Sequence, residues 1–277
     1  MTNYLSFSIN LNNSKAVSVY DEMPLWSAIF GLMLLKHIEL KPNLQVLDVG
    51  CGTGFPLIEL AQILGESCHV VGLDVWVEAL DRARLKVAAM GIKNITIVNA
   101  DATNIPFDNQ YFDLIVSNLG INNFLQPHLV FKECGRVAKV GAKLVLTTNL
   151  RGHMAEIYTA FEETLEQLKL TQHIPDLHQH INKRATVEQL HQSLREVGFS
   201  VTQVYEDSTT LRFLDGTALF NHYFIKLGFL DAWKQVVPEL QQQAVFSHLE
   251  NLLNQLAATQ GQLKLTIPMA YIEAVKL

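Results

Sequence analysis

Residues 46–55 read Val-Leu-Asp-Val-Gly-Cys-Gly-Thr-Gly-Phe, so an apolar run carrying one acid, Asp48, enters glycines at alternate positions, Gly50, Gly52 and Gly54. Glycine has no Cβ and adopts positive φ at little cost, so such a turn lets backbone approach a ligand closely. A helical pattern over 56–64 follows, which aims the N–H groups of a helix N-terminus at whatever lies above the turn. A dinucleotide pyrophosphate asks for a third glycine where this chain has Phe55. An acid standing before the turn suits a ligand carrying an ammonium group better than one carrying a phosphate.

Such a turn needs a sheet around it. From residue 44 onward, apolar runs alternate with helical segments, with candidate strands at 45–49, 69–73, 95–99, 112–117 and 143–148 and helices around 56–64, 77–90 and 127–138. That rhythm predicts an α/β protein with a Rossmann-like, doubly wound sheet, mostly parallel and joined by right-handed crossovers. Ligands of such sheets sit beyond the carboxyl ends of the strands. Asp74 closes the second strand, where a carboxylate can take both hydroxyls of a ribose, or cap the next helix. Asp101 follows the third strand and suits an exocyclic amine such as that of adenine, or again a cap. Ala102, with Val75 or Trp76, offers apolar surfaces to a flat base.

Taken together, residues 46–54, Asp74, Asp101-Ala102, the run 112–118 ending in Ser117-Asn118, and the segment 136–144 resemble the class I S-adenosylmethionine-dependent methyltransferases. The resemblance covers residues 40 to 150 and is closest to the small-molecule branch that includes the ubiquinone and menaquinone C-methyltransferases. It departs at 140–142, where the family often has Pro-Gly-Gly and this chain has Val-Gly-Ala. It implies that the backbone of Gly50, Cys51, Gly52 and Gly54 packs under the methionine part of S-adenosylmethionine, with Asp48 organising the loop and its ammonium contacts. It further implies that Asp74 holds the ribose, Asp101 and Ala102 hold the adenine, and Asn118-Leu119 border the sulfonium, the product being S-adenosylhomocysteine. The pocket motif Asn-Pro-Pro-Tyr of many nucleobase-amine methyltransferases is missing after strand four, where Ser117-Asn118-Leu119-Gly120 stands.

Methyl transfer from a sulfonium depends mostly on orientation and dehydration, so no single side chain marks the catalyst. His153, just after the fifth strand, is the leading acid/base candidate, with helix capping as its alternative; Arg151 beside it is either a carboxylate partner or a solvated charge. Tyr20 and Trp26 lie on a helical pattern over 14–37, broken at Pro24, whose face of Tyr20, Leu25, Trp26, Ile29 and Leu32 reads as core or as a lid touching ligand. Asn122 and Tyr223 complete the expected substrate pocket.

Beyond residue 148 the sequence predicts a long helix over 152–170, a His-rich linker over 172–180, a helix over 186–197 capped by Gly198, and a strand over 199–213 interrupted near Asp207. A helical insertion over 214–260 follows, then a last, antiparallel strand over 263–275 in which Pro268 demands an edge or a bulge. The expected organisation is one methyltransferase domain, 1–277, comprising N-terminal helices or lid 1–43 after a loose arm 1–13, core 44–213, helical cap insertion 214–262 and last strand 263–277. Phe220, Tyr223, Phe224, Phe229 and Trp233 read as the insertion's own core, the wall of an apolar cavity, or both. His173, His178 and His180 near Asp176 are spaced for a polar linker, so no metal is expected.

The chain has 277 residues, 49% hydrophobic and 17% charged, with a net charge of −6 and no basic stripe, so nucleic acid is not an expected partner. Three cysteines without CxxC spacing fit a reducing, cytoplasmic setting, and the apolar run 28–35 is too short to cross a bilayer, so no membrane is expected. The expected partner is a small, partly apolar metabolite methylated on O, N or C, and the insertion's apolar face leaves a homodimer open. The rival readings are a cofactor-binding scaffold without chemistry and, disfavoured by Phe55 and Asp48, an NAD-dependent oxidoreductase.

Overall fold

A computed structural model describes residues 3–23 and 25–277. In chain order the regular elements are α1 (Ser14–Asp21), α2 (Ser27–His37), β1 (Gln45–Val49), α3 (Leu57–Leu64), β2 (His69–Asp74), α4 (Val77–Met90), β3 (Ile95–Asn99), β4 (Phe112–Asn118), α5 (Pro127–Val137) and β5 (Ala138–Asn149). They continue with α6 (Ala155–Gln167), α7 (Ile174–Ile181), α8 (Val187–Glu196), β6 (Phe199–Phe213), α9 (Gly216–Asn221), α10 (Tyr223–Ile225), a π turn Lys226–Leu230, α11 (Asp231–Lys234), α12 (Glu239–Gln260) and β7 (Leu263–Lys276). Seven strands form one sheet in the order β3-β2-β1-β4-β5-β7-β6. β1, β2, β3, β4 and β5 pair in parallel. At the other end, Leu277 N–H donates to Gly198 O and Thr202 Oγ1 to Glu273 O, so rising numbers on β6 meet falling numbers on β7 and the last strands are antiparallel.

The chain divides into two compact units. One comprises 10–148, 186–206 and 269–277; the other comprises 1–9, 149–185 and 207–268. In the first, β1, β2 and β4 are buried almost throughout by Val46, Leu47, Val70, Val71, Leu114 and Ile115, as parallel strands covered on both faces must be. In the second, α6, α9 and α12 enclose an aromatic core in which Phe220 meets Tyr4, Trp233 and Phe246.

Several expectations are corrected. The 172–180 linker is a helix, α7, because Pro175 sits in its first turn, where no backbone N–H is needed, and Leu177 anchors it. β6 runs through Asp207 without a break. Pro268 is not on an edge strand, since β7 lies between β5 and β6; β5 has ended at Asn149 at that level, and Leu150 N–H donates to the Pro268 carbonyl. Residues 140–142, outside the expected fifth strand of 143–148, lie inside β5, with a register shift opposite Phe112 and Leu114. The arm is anchored by Tyr4, whose Oη donates to Glu250 at 2.9 Å. α2 buries Phe30, Gly31, Met33 and Leu34 and exposes Leu32, and Leu25 in the turn before it is exposed too, because a helix apolar on every side does not announce its inner face. Pro24 lies outside the described residues.

Candidate active site

The strand order reverses between β1 and β4, which places the ligand crevice of such a sheet at their carboxyl ends. β1 leads into the glycine turn there. Gly50 and Cys51 donate to Leu73 O at 2.8 and 3.2 Å, pinning the turn to the end of β2, and Gly54 N–H closes back on Cys51 O at 2.8 Å. Gly50, Gly52 and Gly54 have φ of 79°, 51° and 101°, and the space a Cβ would occupy on Gly52 is open. Phe55 lies against Gly31, where any Cβ would collide with its ring, so the position a dinucleotide loop gives to glycine instead seats α2.

Asp74 fixes the loop from β2. Its Oδ2 accepts from Gly52 N–H at 2.9 Å and its Oδ1 from Trp76 N–H at 2.9 Å, while Ala100 N–H and Asn99 Nδ2 bind its carbonyl and draw in the end of β3. Asp48, inside β1, is fully buried and neither carboxylate oxygen has a hydrogen-bond partner. Desolvation and the nearby Asp74 carboxylate push its pKa up to about 8, which the Leu57 N–H opposes only weakly because it falls short of hydrogen-bond geometry. Cys51 is buried as well, and desolvation with the Asp48 and Asp74 charges drives its thiol pKa up, so it is an inert packing group.

Asp101 is exposed and its Oδ1 accepts from Thr103 N–H and Oγ1, both at 2.8 Å, a turn that holds its pKa down; Ala102 beside it is buried. Val75 is 62% exposed, whereas Trp76 is half-buried against the Tyr20 ring, 5.3 Å away, and donates its Nε1–H to Leu11 O. The Asn118 amide is a strut, donating to Ser27 O and accepting from Thr147 Oγ1 at 2.7 Å. Leu119 adopts φ 65°, a conformation unusual for a branched side chain and one that concentrates at functional sites. Asn122 accepts from Thr148 Oγ1 and Trp26 packs on Phe30.

His153, Arg151 and Tyr223 belong to the other unit. His153 is not a solvent-facing cap. It is 3% exposed, edge-on to Tyr158 with Nε2 3.4 Å from Tyr158 Oη, and burial followed by the Arg184 charge brings its pKa down to about 3. Arg151 is exposed, with its N–H bonded to Ala185 O, and Tyr223 packs edge-on to Phe7. No His, Cys, Asp and Glu cluster fit for a metal occurs among the described residues.

Sequence reasoning missed Asp21. On α1, its carboxylate takes Arg82 Nε at 2.7 Å and Lys86 Nζ at 2.6 Å from α4, and it also engages Thr53 of the glycine turn. The spacing of Arg82 and Lys86, one helical turn apart on a face of α4, is the signal that marks such a receptor for an acid.

A glycine turn over a buried acid, at the reversal point of a doubly wound sheet and bonded to a carboxylate ending the next strand, marks the ligand crevice of a Rossmann-like protein. Comparison with known proteins agrees. The methyltransferase domain family matches residues 40–203, more than half of the chain, and the chain belongs to that family, in its class I S-adenosylmethionine-dependent branch. Demethylmenaquinone methyltransferases of Bacillus cereus and Shouchella clausii are 34% and 32% identical over 40% and 46% of this chain. Those matches span 47% and 58% of the relatives, so the chain covers about half of the curated relatives' length. The solved structure of a SAM-dependent methyltransferase from Aquifex aeolicus shares the fold, with TM-score 0.53 and 22% identity over 69% of this chain and 91% of that one.

Proposed function

We propose that the protein transfers a methyl group from S-adenosylmethionine to O, N or C of a small, partly apolar metabolite. The observation that carries this reading is Asp48, a fully buried carboxylate with no partner beneath an open glycine turn, which a cationic ligand would satisfy. The glycine turn would take the methionine part, Asp74 the ribose, Asp101 with Ala102 the adenine, and Asp48 the ammonium through the loop. Bound there, the sulfonium supplies an already activated methyl group. The chain's contribution is to orient the reactants and exclude water. The quinone-type acceptors named for the two bacterial relatives support a flat, apolar acceptor.

The proposed division of labour puts cofactor binding in 44–148 and acceptor recognition in the N-terminal helices, 150–197 and 214–260. The proposed setting is cytoplasmic. Three buried free cysteines support it, and no helix among the described residues is long and apolar enough to cross a membrane. Exposed Leu214 and Leu240 support a homodimer, which sedimentation of the pure protein tests. Calorimetric titration with S-adenosylhomocysteine tests the cofactor reading: one site per chain is expected, weakened by Asp74→Ala, and equal binding by both proteins, or by neither, overturns it.

A further inference from the structure

The unit formed by 1–9, 149–185 and 207–268 holds a polar group that its own packing does not use up. Tyr158 on α6 is buried, and its Oη lies 3.4 Å from His153 Nε2, 3.3 Å from His180 Nε2 on α7, and accepts from Trp233 Nε1 at 3.3 Å. Arg184, just beyond α7, stands beside them. Its Nε is buried without a hydrogen-bond partner, and no ion pair between Arg184 and a carboxylate occurs among the described residues. Removing a cation from water without a counter-ion is costly, and folds ordinarily supply a carboxylate. Here the available partners are neutral donors and aromatic faces: Phe229 lies 6.4 Å from the His153 ring and 5.7 Å from Trp233. His180 and Arg184 are partly exposed, whereas His153, Tyr158 and Trp233 form a closed inner end.

We propose that this cluster binds an organic monoanion, an oxyanion on a flat apolar body, with Arg184 as counter-charge and the His153, Tyr158 and His180 side chains as neutral partners. One guanidinium among uncharged groups matches a single negative charge, and the aromatic wall matches a planar body. A carboxylate and an ionised phenol share this chemistry. Resting on the proposed function, the ligand is the methyl acceptor, which is then a weak acid.

The test is calorimetric titration of the full chain with benzoate, with 4-nitrophenolate and with benzamide, the uncharged isostere of benzoate. Benzoate or 4-nitrophenolate is expected to bind, the tighter of the two identifying the oxyanion, and benzamide to bind roughly tenfold or more weakly. Arg184→Gln should remove that preference for the anion, Arg184→Lys should retain part of it, and the anion should move the His153 and His180 ring proton resonances. Anion binding that is absent from the wild type, or equal in Arg184→Gln, overturns the proposal; should Arg184→Gln fail to fold, anion binding by Arg184→Lys no stronger than that of benzamide does the same. S-adenosylhomocysteine titrated into the same samples separates the readings: bound without benzoate or 4-nitrophenolate, this site fails alone; unbound while an anion binds, the methyltransferase reading fails alone.

Discussion

Asp74 Oδ2 accepts the Gly52 N–H at 2.9 Å, so the acid proposed to hold the ribose also holds the loop proposed to carry the methionine. One carboxylate would therefore link two parts of the proposed ligand site, and its other oxygen, on Trp76 N–H, sets the start of α4. Asp74→Asn keeps one acceptor oxygen but turns an amide group toward one of these N–H donors. Affinity for S-adenosylhomocysteine should fall roughly tenfold or more in calorimetry. Unchanged affinity would remove Asp74 from the site.

Asp48 makes cofactor binding a proton-linked event. Its pKa in the folded protein is raised to about 8 from an ordinary 3.8, so its contribution to stability is full below the ordinary value and is lost as pH rises through the folded one. A cation above the loop favours the ionised form, so binding near pH 7 should release up to about one proton. Titrations in buffers of different ionisation enthalpy read this directly. Asp48→Asn should abolish the release and raise the melting temperature of the ligand-free protein at pH 8.

The two buried imidazoles act in the opposite sense. His153 and His180 have pKa values lowered from 6.5 to about 3 and about 4, in both cases chiefly by desolvation, so their contribution is complete above pH 6.5 and is lost as pH falls toward the folded values. Between about pH 4 and 6.5 the Asp48 and histidine slopes therefore oppose each other. Because two histidines outweigh one aspartate, denaturant melts across that window should fall toward acid for the wild type, fall about twice as steeply for Asp48→Asn, and be nearly flat for His153→Phe. Identical pH profiles for all three proteins would contradict these assignments.

Gly31 tests the seat of the loop. Alanine in a helix interior gains about 1 kcal/mol over glycine, whereas forcing a methyl into the Phe55 ring costs about 1–3 kcal/mol. Overpacking should win, and Gly31→Ala should lower the melting temperature by a few degrees, an effect relieved by adding Phe55→Leu. A stabilised Gly31→Ala would show that Phe55 has room to move.

The core was legible because parallel strands buried on both faces are near-continuous apolar runs, and the glycine turn that joins β1 to α3 needs residues with no substitute. Asp74 could be placed at the end of the second strand from the sequence alone. The second half was less legible because its organising contacts join residues remote in sequence: Tyr158 meets Trp233, and Tyr4 meets Phe220. Pro175 reads as a breaker in sequence yet starts α7, and His153 reads as an acid/base candidate or a cap until Tyr158 and Phe229 are placed beside it. The Asp21 grip on α4 depends on receptors far downstream, and the Arg82 and Lys86 spacing marks a place for an acid without saying which acid fills it.

The central claim is tested most directly by methyl transfer itself. The wild-type protein, given S-adenosylmethionine labelled in its methyl group and a cell extract stripped of macromolecules, should move label into a small apolar metabolite, and Asp74→Ala should do so far more slowly. Label remaining on the cofactor with the wild type, or moving equally with both proteins, would contradict the account.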